Sequence, residues 1–267
     1  MQGHRRDTFV RGVRLVSYEV GSRDASEVVV VVPGLCVSSY LWPACDALAE
    51  QGYRVLLVEP PGWPRSGRAT PEPATVAELA TWVSGWLEDR EVRDVLLVGQ
   101  SMGAQIAAHV AAQSADRIRT VVFQGPVFDP SYRTPARALC RWLLDMPRER
   151  AQLAVREVPE WLRVGPRRVW RTLRLSLADR LEETVTGVPH PVHVMMGEHD
   201  TLAGRTWAAA LCSREAQLVL MPGLPHSSPH TDPHGFAARI RDLCPAPLEP
   251  DTERSHTTCG GATGLQV

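Results

Sequence analysis

Gly99-Gln100-Ser101-Met102-Gly103 is the segment of this 267-residue chain whose spacing speaks most directly to chemistry. It fits G-x-S-x-G and lies between a valine-rich run at 95–98 and a helix-patterned stretch at 104–114. Set between a strand and a helix, such a turn lifts a serine hydroxyl above the end of a sheet. The glycines let strand and helix approach closely. A serine hydroxyl is a poor nucleophile until a base takes its proton and an acid orients that base. Two later segments offer such groups just past apolar runs. Residues 192–196 lead into Gly197-Glu198-His199-Asp200, and residues 218–221 lead into Pro222-Gly223-Leu224-Pro225-His226. Ser101, Asp200 and His226 thus follow in the order nucleophile, acid, base. Glu198 and Asp129, the latter just after the run at 120–123, compete for the role of acid. His230 and His234 follow His226 at four-residue steps, which on one helix would suggest a metal face. Pro229 and Pro233 interrupt any such helix, so no metal is expected. His226 lies nearest the strand end and is the preferred base, whereas His199, between two acids, reads as structural or superficial.

Those residues need a scaffold that brings several strand ends to one edge. Short, continuous, valine-rich runs fall at 28–32, 54–58, 95–98, 120–123, 192–196 and 218–221. Runs of this kind mark strands buried on both faces of a parallel sheet. Helix-like stretches lie between them at 41–51, 75–90, 104–114, 204–212 and 233–244. Thr75 with Glu78 forms a capping-box pattern, and Asp232 before Pro233 reads as an N-cap with proline at the first helical position. The expected fold class is α/β: a doubly wound, mostly parallel sheet flanked by helices, with right-handed crossovers.

Residues 129–188 break that rhythm. They hold no strand-like run, carry apolar residues at helical spacing in 136–145 and 167–177, and contain Pro147, Pro159 and Pro166, which should divide them into short helices. The expected organisation is an α/β core over 1–128, an inserted helical cap over 129–188, the rest of the core over 189–244, and a disordered tail over 245–267. The cap carries 12 arginines against eight acidic residues. That excess suits a solvated helical surface, or a basic rim that attracts an acidic substrate or carrier protein.

Composition removes several function classes. Basic and acidic residues number 29 and 30, for a net charge of −1, so charge gives no global attraction to nucleic acid or an anionic membrane. Every basic residue is arginine, which excludes Schiff bases, pyridoxal phosphate attachment and a P-loop ammonium. Asparagine is absent, and with it any N-glycosylation sequon or Cys-His-Asn triad. Six scattered cysteines with no CxxC pair read as independent reduced thiols. The start is polar, and the longest apolar run falls far short of the ~20 residues that span a bilayer. A cytoplasmic protein without membrane or nucleic-acid partner is the expectation.

Four stretches resemble the α/β-hydrolase superfamily: VVVVVPGLCVSSYLW, VEPPGWPRSGR, GQSMG, and the pair MMGEHD and PGLPHSSPHTDP. The resemblance is to its capped, single-domain group of esterases, lactonases, perhydrolases and carbon–carbon bond hydrolases. It runs from about Val28 to Cys244, the cap excepted. It implies Ser101 as nucleophile, Asp200 as acid, His226 as base, no cofactor, and an oxyanion hole from the Leu35 and Met102 amides. Relatives have His-Gly where this chain has Pro33-Gly34, but the Leu35 amide can donate without the histidine. Cys36 reads as a small packed thiol. Trp63 either lines the pocket mouth or packs; Trp142, Trp161 and Trp170 either pack the cap or roof an apolar pocket. The implied activity is hydrolysis of a carboxylic ester, thioester or lactone in a small-molecule acyl substrate, through an acyl-enzyme on Ser101. The alternatives are a non-hydrolytic cyclase, lyase or perhydrolase on the same site, and a catalytically inactive binding module.

Overall fold

The structure is a computed structural model that describes residues 3–213 and 215–244; the tail expected over 245–267 lies outside the described residues. The chain opens with β1 (His4–Val10) and β2 (Val13–Val20), then alternates β3 (Val28–Val32), α1 (Trp42–Glu50), β4 (Arg54–Glu59), α2 (Val76–Asp89), β5 (Val95–Gln100), α3 (Met102–Gln113) and β6 (Ile118–Gln124). Four helices follow: α4 (Pro135–Asp145), α5 (Ala151–Val164), α6 (Pro166–Ala178) and α7 (Leu181–Thr184). The chain then returns through β7 (Val192–Gly197), α8 (Arg205–Ala210), β8 (Leu218–Met221), α9 (Ser228–Thr231) and α10 (Pro233–Leu243). One eight-stranded sheet results, in the order β1-β2-β4-β3-β5-β6-β7-β8, antiparallel at β1-β2 and β2-β4 and parallel from β4 to β8.

The valine runs become strands because both sheet faces are covered. On β3, Val30 and Val32 face α2 and α3, while Val29 and Val31 face α1 and α10. Each fully buried valine adds roughly 1.5–3 kcal/mol of hydrophobic stabilisation. The hairpin β1–β2 has no counterpart among the expected elements. Its outer strand is mostly exposed, so it lacks the continuous apolar run that marks the inner strands. Its legible signal is Arg11-Gly12, a turn with both residues at positive φ (48° and 75°) that suits a two-residue hairpin.

Caps follow the sequence. Thr75 accepts from Glu78 N at 3.1 Å, although Glu78 reaches back to Ala74 N and not to Thr75. Asp232 accepts from Gly235 N at 3.0 Å, and the chain breaks there between α9 and α10. Pro147 falls in the turn after α4 and Pro166 begins α6. Pro159 does not divide the chain: it sits inside α5, where the carbonyl deprived of a donor belongs to exposed Val155.

The helices between β6 and β7 reach the strand ends through polar contacts. Ser38 N and Ser39 N donate to Glu160 of α5 at 2.7 and 3.3 Å, and Arg65 pairs with the same carboxylate at 2.5 Å. Trp161 Nε1 donates to Leu35 O at 2.9 Å. Gln105 of α3 donates to Ser176 O of α6 at 2.9 Å.

Candidate active site

Ser101 occupies the single residue between β5 and α3, with φ 56° and ψ −123°. Such a conformation costs a non-glycine residue about 1–3 kcal/mol and persists where neighbours over-determine it. Here Ser101 N donates to Gln124 O at 2.9 Å, and Ala104 N donates to Ser101 O at 3.0 Å. The flanking glycines are sterically required. A Cβ on Gly99 would lie 2.3 Å from Gly103 O, and one on Gly103 would lie 2.1 Å from Val32 O.

Asp200 follows β7 and His226 follows β8, so both stand at the same sheet edge as Ser101. His226 Nδ1 lies 2.9 Å from Asp200 Oδ2, and Asp200 Oδ1 accepts from Leu202 N at 2.8 Å. The Asp200 side chain is fully buried. With Nδ1–H given to Asp200, a neutral His226 carries its lone pair on Nε2. The competing acids are engaged elsewhere. Asp129 accepts from Ser131 N at 2.7 Å and Gly204 N at 3.2 Å, and Glu198 accepts from Gly223 N at 2.9 Å. His199 is exposed. His230 bonds Tyr40 O at 3.1 Å, and exposed His234 sits 3.5 Å from Glu50.

Ser101, His226, Leu35 and Met102 all line one cavity of about 650 Å³. Its walls are largely apolar, and Trp142, Trp161 and Trp170 are among them. Trp142 and Trp161 also pack edge to face, their centroids 6.1 Å apart. The Leu35 and Met102 amides make no hydrogen bond to another described residue. Trp63 is buried in the core, where its Nε1 holds Gly34 O at 2.9 Å, so it packs and is not at the mouth. Cys36 is fully buried, and burial pushes its thiol up to about 12, which leaves no thiolate at neutral pH.

Several residues of this site escape a reading by motif. Tyr40 accepts from Gly34 N at 3.1 Å and donates to Gln100 Oε1, which fixes the loop beside Ser101. Gly125 gives room to the His226–Asp200 pair: a Cβ there would sit 3.0 Å from His226 Nδ1 and 3.2 Å from Asp200 Oδ2. Asp145, at the end of α4, accepts from Thr201 N and His226 N, each at 3.2 Å. It therefore ties together the loops that carry Asp200 and His226. Glu149 accepts from Ser227 N at 2.7 Å. Burial, together with a hydrogen bond and like charge from Asp145, pushes Glu149 up to about 7. Burial alone would lower His226, but the charge and hydrogen bond of Asp200, then Asp145 and Glu149, raise it to about 9. The available signal was acidic residues on the apolar face of a helix, as in Leu153-Glu157-Glu160-Trp161-Val164.

Many arginines of the helical segment have partners. Arg133 pairs with Glu182, and Arg168 and Arg171 with Glu72. Among the described residues no group of three or more His, Cys, Asp or Glu side chains could hold a metal ion, and no helix is long and apolar enough to cross a membrane.

This sheet, with its positive-φ turn at Ser101 after β5 and with Asp200 and His226 after β7 and β8, has an α/β-hydrolase architecture. A sequence profile of the alpha/beta hydrolase family matches residues 29–239, and the chain belongs to that family. Haloalkane dehalogenase 1 from Mycobacterium tuberculosis is 33% identical over 147 residues, 51% of this chain and 49% of that protein. The chain thus spans about half the length of the curated relatives it matches. The enol-lactonase from Burkholderia xenovorans LB400 superposes with a TM-score of 0.69 at 23% identity, covering 89% of this chain and 99% of that one. A meta-cleavage product hydrolase from Pseudomonas fluorescens IP01 gives a TM-score of 0.69 at 18% identity, covering 89% and 96%.

Proposed function

We propose that the protein is a serine hydrolase that cleaves a carboxylic ester, thioester or lactone through an acyl-enzyme on Ser101. The observation that carries this reading is that Ser101 and His226, the latter bonded to buried Asp200, open onto the same apolar cavity. Ser101 Oγ attacks the carbonyl carbon while His226 Nε2 takes its proton, and Asp200 steadies the imidazolium. The carbonyl oxygen becomes an oxyanion facing the Leu35 and Met102 amides. Collapse of this intermediate expels the alcohol or thiol, which receives the proton from His226. Water, deprotonated by His226, then attacks the acyl-enzyme and frees both the acid and Ser101. Residues 129–188 act as the cap, since their tryptophans wall the cavity and Asp145 and Glu149 hold the histidine loop from above.

The chemistry of serine separates this reading from the activity that the dehalogenase carries in its name. A serine oxygen that displaced halide from a saturated carbon would be left as an alkyl ether, which an adjacent imidazole and water cannot cleave. Attack at a carbonyl leaves an ester, which they can. The cavity suits a small-molecule acyl substrate, and the pairing of Arg133, Arg168 and Arg171 lends no support to an acidic carrier protein. The test is fluorophosphonate labelling read by intact mass, with a panel of short acyl esters, thioesters and lactones. One adduct on the folded wild type, lost in Ser101→Ala and His226→Ala, is the expected result. No adduct and no turnover would overturn the proposal.

A further inference from the structure

Two glutamates one turn apart on α5 meet different surroundings. Glu160 accepts from two amides on Oε2 and pairs with the Arg65 guanidinium through Oε1. Glu157 lines the cavity, crowded on most sides by protein, and makes no hydrogen bond or ion pair with any described residue. The charged groups that act on it are Glu149 and Glu160, of its own sign, and His226. Glu149 also lines the cavity wall, beside Asp145. A carboxylate in such a place either stays protonated or takes a counter-charge from elsewhere. Burial, reinforced by the charge of Glu149, pushes Glu157 up to about 8.

Aromatic rings supply a second, independent feature. Trp161 lies four residues beyond Glu157 on the same helical face. Its indole is fixed by the bond from Nε1 to Leu35 O and meets Trp142 at an interplanar angle of 66°. Two indoles that share a cavity with a carboxylate unpaired among the described residues attract a cation into it more than a neutral group of equal size.

We propose that Glu157, Trp142 and Trp161 form a subsite for a substituted ammonium group, so that the favoured substrate carries a fixed positive charge on the part beneath the roof. This deepens the serine-hydrolase reading and rests on it for the word substrate, but the subsite binds a cation whether or not Ser101 turns anything over.

Two measurements on the full chain test it. The first is equilibrium binding of benzyltrimethylammonium, followed by tryptophan fluorescence at pH 9, where Glu157 is ionised. Glu157→Gln should weaken binding at least tenfold and Glu157→Asp should retain most of it, with a cooperative thermal transition showing each variant folded. The second compares 4-nitrophenyl esters of 4-(trimethylammonio)butanoate and its neutral isostere 5,5-dimethylhexanoate. The wild type should prefer the cationic ester at least tenfold in kcat/KM, and the ratio should fall toward one in Glu157→Gln. Absent binding, or binding equal in wild type and Glu157→Gln, overturns the subsite. Binding through Glu157 without hydrolysis of either ester leaves the subsite standing and removes the hydrolase reading. Hydrolysis of both at equal rates without binding does the reverse.

Discussion

At the sheet edge, Ser101, Asp200 and His226 are held mainly by backbone: a positive-φ turn, strand ends in register, and glycines with no room for a Cβ. The helices above are held by side chains, and acidic groups share their inner face with apolar ones such as Leu153 and Val164. Leu143, Val155 and Leu162 are more than half exposed, while Asp145 and Glu160 are nearly inaccessible. The contrast separates two tasks. Strand ends place these side chains with little tolerance, because the sheet ladder fixes them. Inserted helices offer side chains to a cavity and can vary without disturbing the ladder. Asp145 and Glu149 join the two regions through single backbone amides of the histidine loop.

The division of labour predicts a steep gradient of effects. Ser101→Ala, at the sheet edge, should lower kcat by about a millionfold if the three residues act as a unit, measured by steady-state ester hydrolysis. Asp200→Asn should cost about 10⁴-fold, because His226 loses the acceptor that sets its tautomer. At the junction, Asp145→Ala leaves Thr201 N and His226 N without their acceptor. It should lower stability by about 1–3 kcal/mol in urea unfolding and kcat by about a hundredfold. An effect as large as that of Ser101→Ala would erase the distinction between the regions.

Smaller effects sharpen it. His226 is raised to about 9 and must be neutral to act as base, so kcat/KM should climb with pH through about 9. Ionised Glu149 favours the imidazolium, and Glu149→Gln should therefore move that rise to lower pH. An unmoved profile would make Glu149 a strut for Ser227 alone. Arg171→Ala, in a half-exposed pair with Glu72, should change stability by no more than about 0.5 kcal/mol and leave ester hydrolysis unchanged.

Legibility followed the same boundary. The inner strands could be read because a strand covered on both faces must be apolar at every position, as Val28–Val32 is. The turn around Ser101 could be read because close approach and positive φ restrict residue types at fixed spacing. The hairpin β1–β2 was harder, since exposure of its outer strand dilutes the pattern to an Arg11-Gly12 turn. Pro159 was misleading, because an exposed carbonyl tolerates a lost donor.

The sequence by itself determined the doubly wound sheet, the helices that cover it and the place of Ser101, all governed by local sterics and by periodic burial. Only the tertiary structure decided that Asp200, and not Asp129, meets His226, that Trp63 packs while Trp142 and Trp161 face the cavity, and that Glu157 stands there without a partner among the described residues. Partnership between residues distant in sequence depends on the distance between loops and on the rotation of each helix about its axis. Neither leaves a mark in residue spacing, because the same helical stripe can face solvent, core or cavity.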